Sequence, residues 1–164
     1  MAKESSFDVV SKADLNEVRN AVNMAQKEIA TRYDFKKSVS SITLEGDDAL
    51  VLTSDNEGKL KQVVEVLEDK LVRRKVPLKA IQYGKVEEAL GGTVRQRAPI
   101  AQGIPDDKAK AMNKLLRQRF KKVKCQIQGD TVRVFSASKD ELQAAMGALR
   151  EEDWGIPVKF VNYR

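Results

Sequence analysis

The chain has 164 residues, of which 41% are hydrophobic and 33% charged, with a formal net charge of +6. It holds no His and one Cys, Cys125, which excludes His-based acid–base catalysis, His-activated nucleophiles, the usual zinc ligand sets and an internal disulfide. No apolar run approaches the length of a membrane span and Met1-Ala2-Lys3-Glu4 does not begin a signal peptide, so a cytoplasmic protein with no membrane segment and no cofactor is expected.

In chain order, Phe7–Ser11 reads as a short strand. Leu15, Val18, Val22, Ala25 and Ile29 recur at helical spacing, which predicts a helix over about Asp14–Arg32. Two alternating runs follow near Ser38–Glu45 and Ala49–Ser54, turning at Gly46-Asp47-Asp48. A second helix is predicted over about Glu57–Arg74, ended by Pro77, with a strand at Leu78–Tyr83. Gly84–Gly92 reads as a connection with a helical turn at Val86–Leu90, and Thr93–Gln102 as extended chain. Pro105 suits the first turn of a third helix reaching about Lys122. Val123–Gln128 and Thr131–Ser136 form a hairpin across Gly129-Asp130. A last helix is expected over about Lys139–Glu152 before a final strand.

The second half repeats the first. Val76-Pro77-Leu78-Lys79-Ala80-Ile81-Gln82-Tyr83 returns as Ile156-Pro157-Val158-Lys159-Phe160-Val161-Asn162-Tyr163, and Leu44-Glu45-Gly46-Asp47 returns as Ile127-Gln128-Gly129-Asp130. Each copy reads strand–helix–strand–strand–helix–strand. Two helices on one face of a four-stranded antiparallel sheet satisfy that order, giving an α+β chain of two tandem ferredoxin-like sandwiches. Copies of about 70–80 residues are small for independent cores, so a rigid pair sharing an interface is expected.

The copies differ in charge. Residues 93–135 hold eleven basic side chains against Asp106, Asp107 and Asp130, so this stretch carries the whole basic excess. Such a patch attracts phosphates, nucleic acid or acidic surfaces. Alternation along the second hairpin points Lys124, Gln126, Gln128, Thr131, Arg133 and Phe135 to the open face of the sheet. Amides and Arg can read base edges or phosphate, and Phe can stack on a base. The matching positions of the first copy are Ser41, Thr43, Glu45, Asp48, Leu50 and Leu52, a face without cations. Its two leucines are expected to be covered by the other copy or another chain.

On the third helix, Lys110, Lys114, Arg117 and Lys121 fall in one stripe with no acid among them, and are expected as auxiliary phosphate contacts. The stripe is expected behind the sheet, away from the open face. Gly91-Gly92 suits either a flexible linker or an anion-binding nest, and Trp154 and Tyr33 read as packing anchors. No phosphate-binding glycine loop and no nucleophile beside a base is present, so a non-catalytic protein is expected.

Ordered blocks along the chain carry a resemblance. Ser6-Phe7-Asp8-Val9-Val10-Ser11, Glu17-Val18-Arg19-Asn20-Ala21-Val22, Thr31-Arg32-Tyr33-Asp34-Phe35-Lys36 and Gln102-Gly103-Ile104 are of this kind. So are Gln126-Ile127-Gln128-Gly129-Asp130 with Val132-Arg133-Val134, Asp140-Glu141-Leu142-Gln143-Ala144, and Phe160-Val161-Asn162-Tyr163-Arg164. The chain resembles the bacterial YajQ family of nucleotide-binding proteins over nearly its whole length. The resemblance implies two ferredoxin-like domains that exchange their first strands. One domain would span 12–103, including strand 93–102. The other would span 104–164, completed by strand 7–11. It also implies binding of RNA or a nucleotide. The alternative it leaves open is a regulatory effector that binds a small nucleotide such as cyclic di-GMP and signals to a protein partner.

Overall fold

The computed structural model describes residues 3–164; Met1 and Ala2, the start of the Met1–Glu4 segment read above, lie outside them. In order the elements are β1 (Ser5–Val10), α1 (Leu15–Thr31), β2 (Ser41–Glu45), β3 (Ala49–Ser54), α2 (Glu57–Arg73) and β4 (Val86–Glu88). Then come β5 (Val94–Pro99), α3 (Asp106–Arg119), β6 (Lys124–Gln128), β7 (Thr131–Ser136), α4 (Lys139–Glu151) and β8 (Lys159–Val161). Two antiparallel sheets result, in the orders β6-β7-β1-β8 and β2-β3-β5-β4. Each is the sheet of a ferredoxin-like sandwich, and the first strands are exchanged. β1 lies between β7 and β8, while β5 takes the corresponding place between β3 and β4.

Ala13–Ile100 is one compact unit; the chain through Lys12 together with Ala101–Arg164 is the other. Lys12 and Ala101–Gly103 thus fall with the second unit. Lys12 bridges to Gln102, and the Ile104 amide donates to the Asp130 carbonyl at 2.9 Å.

In the first unit, Asp14 caps α1 by accepting from the Asn16 and Glu17 amides, and Asn56 caps α2 through the Lys59 amide. Val18, Ala21, Val22, Ala25 and Ile29 of α1 are buried, as are Leu60, Val63, Leu67 and Leu71 of α2, Ile42 of β2 and Leu50 and Leu52 of β3. In the second unit, Phe7 and Val9 of β1 and Val132 and Val134 of β7 face one core with Met112 and Leu116 of α3 and Leu142, Met146 and Leu149 of α4. Trp154 closes that core, 8% exposed, its indole N–H donating to the Leu149 carbonyl.

Several expectations change. Leu50 and Leu52 point into their own core, because Leu50 pairs with Leu44 and Leu52 with Ile42. The first hairpin turns over three residues, Gly46–Asp48, and the second over two, since Gln128 pairs directly with Thr131. A fixed offset carried across that extra residue assigns every later side chain of the strand to the wrong face. The segment expected as a strand at Leu78–Tyr83 begins as a 3-10 turn, Leu78–Ala80. Ile81 then bridges to Ile100, and the chain bulges near Gly84 before β4 pairs with β5. A Cβ at Gly84 would sit 2.8 Å from the Arg97 carbonyl oxygen, so this close approach needs glycine. The helical turn expected at Val86–Leu90 is strand β4. Gly91 and Gly92, at φ +77° and +78°, lie in the tip of the β4–β5 hairpin rather than in a connection between domains.

Gly103 holds the entry to α3 against the β6–β7 turn. Its φ is +143°, and an added Cβ would stand 2.5 Å from Asp130 Cβ. Gly103→Ala is expected to lower stability by about 1–3 kcal/mol, through backbone strain and displacement of that turn. Urea denaturation checks this: an unchanged midpoint would mean the contact relaxes freely.

Candidate functional site

The open face of the second sheet is built as the alternation dictates. Lys124 stands opposite Phe135, and Phe135 opposite Ser6; Gln126, Arg133, Asp8 and Val161 form the next row; Gln128 stands opposite Thr131. Lys124, Gln126 and Gln128 are exposed, and the Gln128 amide donates to Gln126 Oε1 at 3.4 Å, which places both on one face. Phe135 and Arg133 are half-buried.

Arg133 is not a free cation. Its Nε donates to Asp8 Oδ1 at 2.9 Å and its Nη2 to Asp8 Oδ2 at 3.5 Å. The Asn162 side-chain amide donates to Asp8 Oδ2 at 2.8 Å. Asp8 is itself 5% exposed. Arg133 outweighs the burial that opposes it and, with Asn162, holds the Asp8 carboxyl below the usual carboxylate range. Asn162 reaches this position from a left-handed backbone, φ +56°, just before Arg164 pairs with Ser6 through 3.1 and 3.0 Å hydrogen bonds. Because Arg133 and Asn162 are both engaged by a strand from the start of the chain, the arrangement is first a lock on β1.

One of the four cations assigned to the third helix lies outside it. The helix ends at Arg119, with Phe120 as its extended cap, so Lys121 sits in the turn beyond it rather than in the stripe. Lys110, Lys114 and Arg117 are exposed. Asn113, one turn from Lys110 and Arg117, accepts a 2.9 Å hydrogen bond from the Cys125 thiol of β6. Burial raises the Cys125 pKa, and the Arg117 charge opposes that rise. Cys125 therefore stays a protonated donor at neutral pH, and Arg117 lies beside the edge of β6. α3 packs on the helix-facing side of β6.

The cations of the chain differ in whether a carboxylate holds them. Arg19, Arg32, Lys70, Arg73, Arg74, Arg97 and Arg133 each have a carboxylate partner. Among the described residues, no ion pair involves any of the eight cations from Lys108 to Lys124, which run over α3, the following turn and β6. The open face of the first sheet does carry cations, from the exchanged strand β5: Arg95 stands opposite Glu87, and Arg97 pairs with Glu45 at 3.1 Å. Sequence reasoning missed these because it paired the hairpin without its third strand. It also missed Tyr33, which is 87% exposed and anchors no core.

The fold defines a tandem ferredoxin-like protein. A model of the family described as "Nucleotide-binding protein YajQ-like" matches residues 5–164. Nucleotide-binding proteins of Bacillus cereus strains B4264 and ATCC 14579, and one of Bacillus anthracis strain CDC 684, are each 57% identical to this chain over 164 residues. Each alignment covers all of both chains. The chain belongs to the YajQ family of nucleotide-binding proteins. No helix among the described residues is long and apolar enough to cross a membrane.

Asp8→Asn tests the lock. A depressed carboxyl pKa contributes stability that is present above the unfolded value, near 4, and lost as pH falls through the folded one. The wild-type protein should therefore lose stability relative to Asp8→Asn on acidification below about pH 4. At pH 7, Asp8→Ala should cost about 1–3 kcal/mol. Thermal melts from pH 7 to pH 3 check both; parallel curves for wild type and Asp8→Asn would contradict the lock.

Proposed function

We propose that this chain is a non-catalytic RNA- or nucleotide-binding protein of the bacterial cytoplasm, and that its phosphate contacts lie on the border between α3 and the edge strand β6. The observation that supports this is the run of unpaired cations from Lys108 to Lys124. Charges with internal partners offer little to a ligand, whereas charges held near one another without acids attract phosphate. Lys110, Lys114 and Arg117 are exposed on α3, the helix that bonds to β6 through Asn113 and Cys125. Lys124, Gln126 and Gln128 occupy its open face, with Phe135 beside them for stacking. Lys121, in the connecting turn, continues the same run. A strand of nucleic acid crossing the β6 edge meets the helix cations with its phosphates and the amides with its bases.

Arg133 is a weak choice for the main contact, because binding through it competes with Asp8. Its loss weakens the sheet as well as any site, so Arg133→Ala cannot separate the two effects. The absence of His, the protonated Cys125 and the lack of a nucleophile–base pair in the sequence favour binding over catalysis.

Lys114→Ala/Arg117→Ala and Lys124→Ala should each weaken RNA binding several-fold without shifting the melting temperature. For four or five neutralised phosphates on a single strand, log K should fall with log salt at a slope of about −3. Fluorescence anisotropy with labelled RNA at 50–300 mM salt, together with mononucleotides and cyclic dinucleotides, reads all of these (salt range of the order that resolves such slopes). Unaltered binding in both variants would overturn the site. Salt-insensitive, one-to-one binding of a small nucleotide would favour a signalling role.

A further inference from the structure

The segment Thr31–Lys36 belongs to the blocks that mark the family resemblance, yet the border described above does not use it. Its conformation is tightly fixed. Phe35 is 4% exposed, with the Arg32 guanidinium and the Lys59 ammonium each 5.3 Å from its ring centroid. Arg32 forks onto Asp34 at 2.9 and 2.6 Å, and the Lys36 and Ser38 amides close the turn onto the Tyr33 and Phe35 carbonyls at 3.0 Å. Lys37 follows at φ +62°, a left-handed conformation seldom taken by residues other than Gly, Asn and Asp.

This scaffold holds Tyr33 out in solvent, 87% exposed, with Lys36 Nζ 5.9 Å from its ring centroid. Asp34, the adjacent acid, is neutralised by Arg32. Neither Lys36 nor Lys37 has an ion-pair partner among the described residues. An exposed ring carried on a tightly bonded turn and followed by two cations without ion-pair partners has the make-up of a stacking platform for a nucleobase. We infer that the Tyr33–Lys37 turn of the first unit is a second contact for single-stranded nucleic acid, Tyr33 stacking on one base and Lys36 and Lys37 holding the neighbouring phosphates. The inference rests on the nucleic-acid reading above but on different residues in a different unit. Stacking needs an unpaired base, so the contact selects single strands over duplex.

Anisotropy titrations of the full chain with a single-stranded RNA and a duplex of equal length test it. Tyr33→Ala should weaken single-strand binding about 5- to 100-fold and leave duplex binding unchanged. Tyr33→Phe should bind as wild type and Tyr33→Leu as Tyr33→Ala, while Lys36→Ala/Lys37→Ala should reduce the salt slope. At a position this exposed, the variants should keep the wild-type melting temperature, which circular dichroism confirms. Wild-type affinity in Tyr33→Ala overturns the inference and leaves the α3–β6 border standing. Wild-type affinity in Tyr33→Leu overturns it too, pointing to an apolar partner contact. Failure of the wild-type chain to bind any nucleic acid brings down both readings.

Discussion

The second unit depends on a strand that the chain makes first and uses across more than ninety intervening residues. β1 lies between β7 and β8, so its two rows of hydrogen bonds join β8 to the rest of the sheet. Its inner face contributes Phe7 and Val9, both fully buried, each worth about 1.5–3 kcal/mol of apolar burial. Its outer face contributes Asp8, bound to Arg133 of β7 and to Asn162 just beyond β8. One residue on a central strand thus ties together the two neighbours that flank it. The first unit is inserted between β1 and α3, and β5 fills in its sheet the place that β1 would otherwise have held.

That lock engages one basic side chain, Arg133. Arg133 and, in the first unit, Arg19, Arg32, Lys70, Arg73 and Arg74 are held by carboxylates, and their charges are spent on structure. Glu28 binds the nearly buried Lys70 at 2.8 Å, and Glu17 binds Arg74 at 2.8 Å, joining α1 to α2. Between Lys108 and Lys124 no such partner is present among the described residues. The sequence there has Asp106 and Asp107 only at the N-terminus of α3, where they suit the helix dipole. Self-repulsion along α3 destabilises that helix slightly, which a phosphate ligand would offset.

How far these features were legible in the sequence varies with their physical origin. Helix positions and the inward stripes followed from spacing, because one buried face enforces its own period. The order strand–helix–strand–strand–helix–strand identified the sandwich, although the strand exchange came from family resemblance and not from periodicity. The orientation of Leu50 and Leu52 was misread because the two hairpins differ by one residue, and no apolar pattern announces a turn length. β4 escaped notice because Val86-Glu87-Glu88 is short, exposed and charged, the make-up of a protected edge strand. Lys124, Gln126, Gln128 and Phe135 were placed correctly by alternation. The Asp8–Arg133 pair was not visible, since 125 residues separate its members. Tyr33 reads from the sequence as a packing anchor because aromatic residues usually are; only the fold shows Phe35 buried in its stead.

The most direct test of the α3–β6 border is a footprint that does not depend on mutation. Amide resonances of isotopically labelled protein can be followed during titration with a short single-stranded RNA. The account predicts that the changes concentrate on the last two turns of α3, the Phe120–Val123 turn and β6, with β8 little affected. Changes confined to other surfaces, or none at all with saturating RNA, would contradict it.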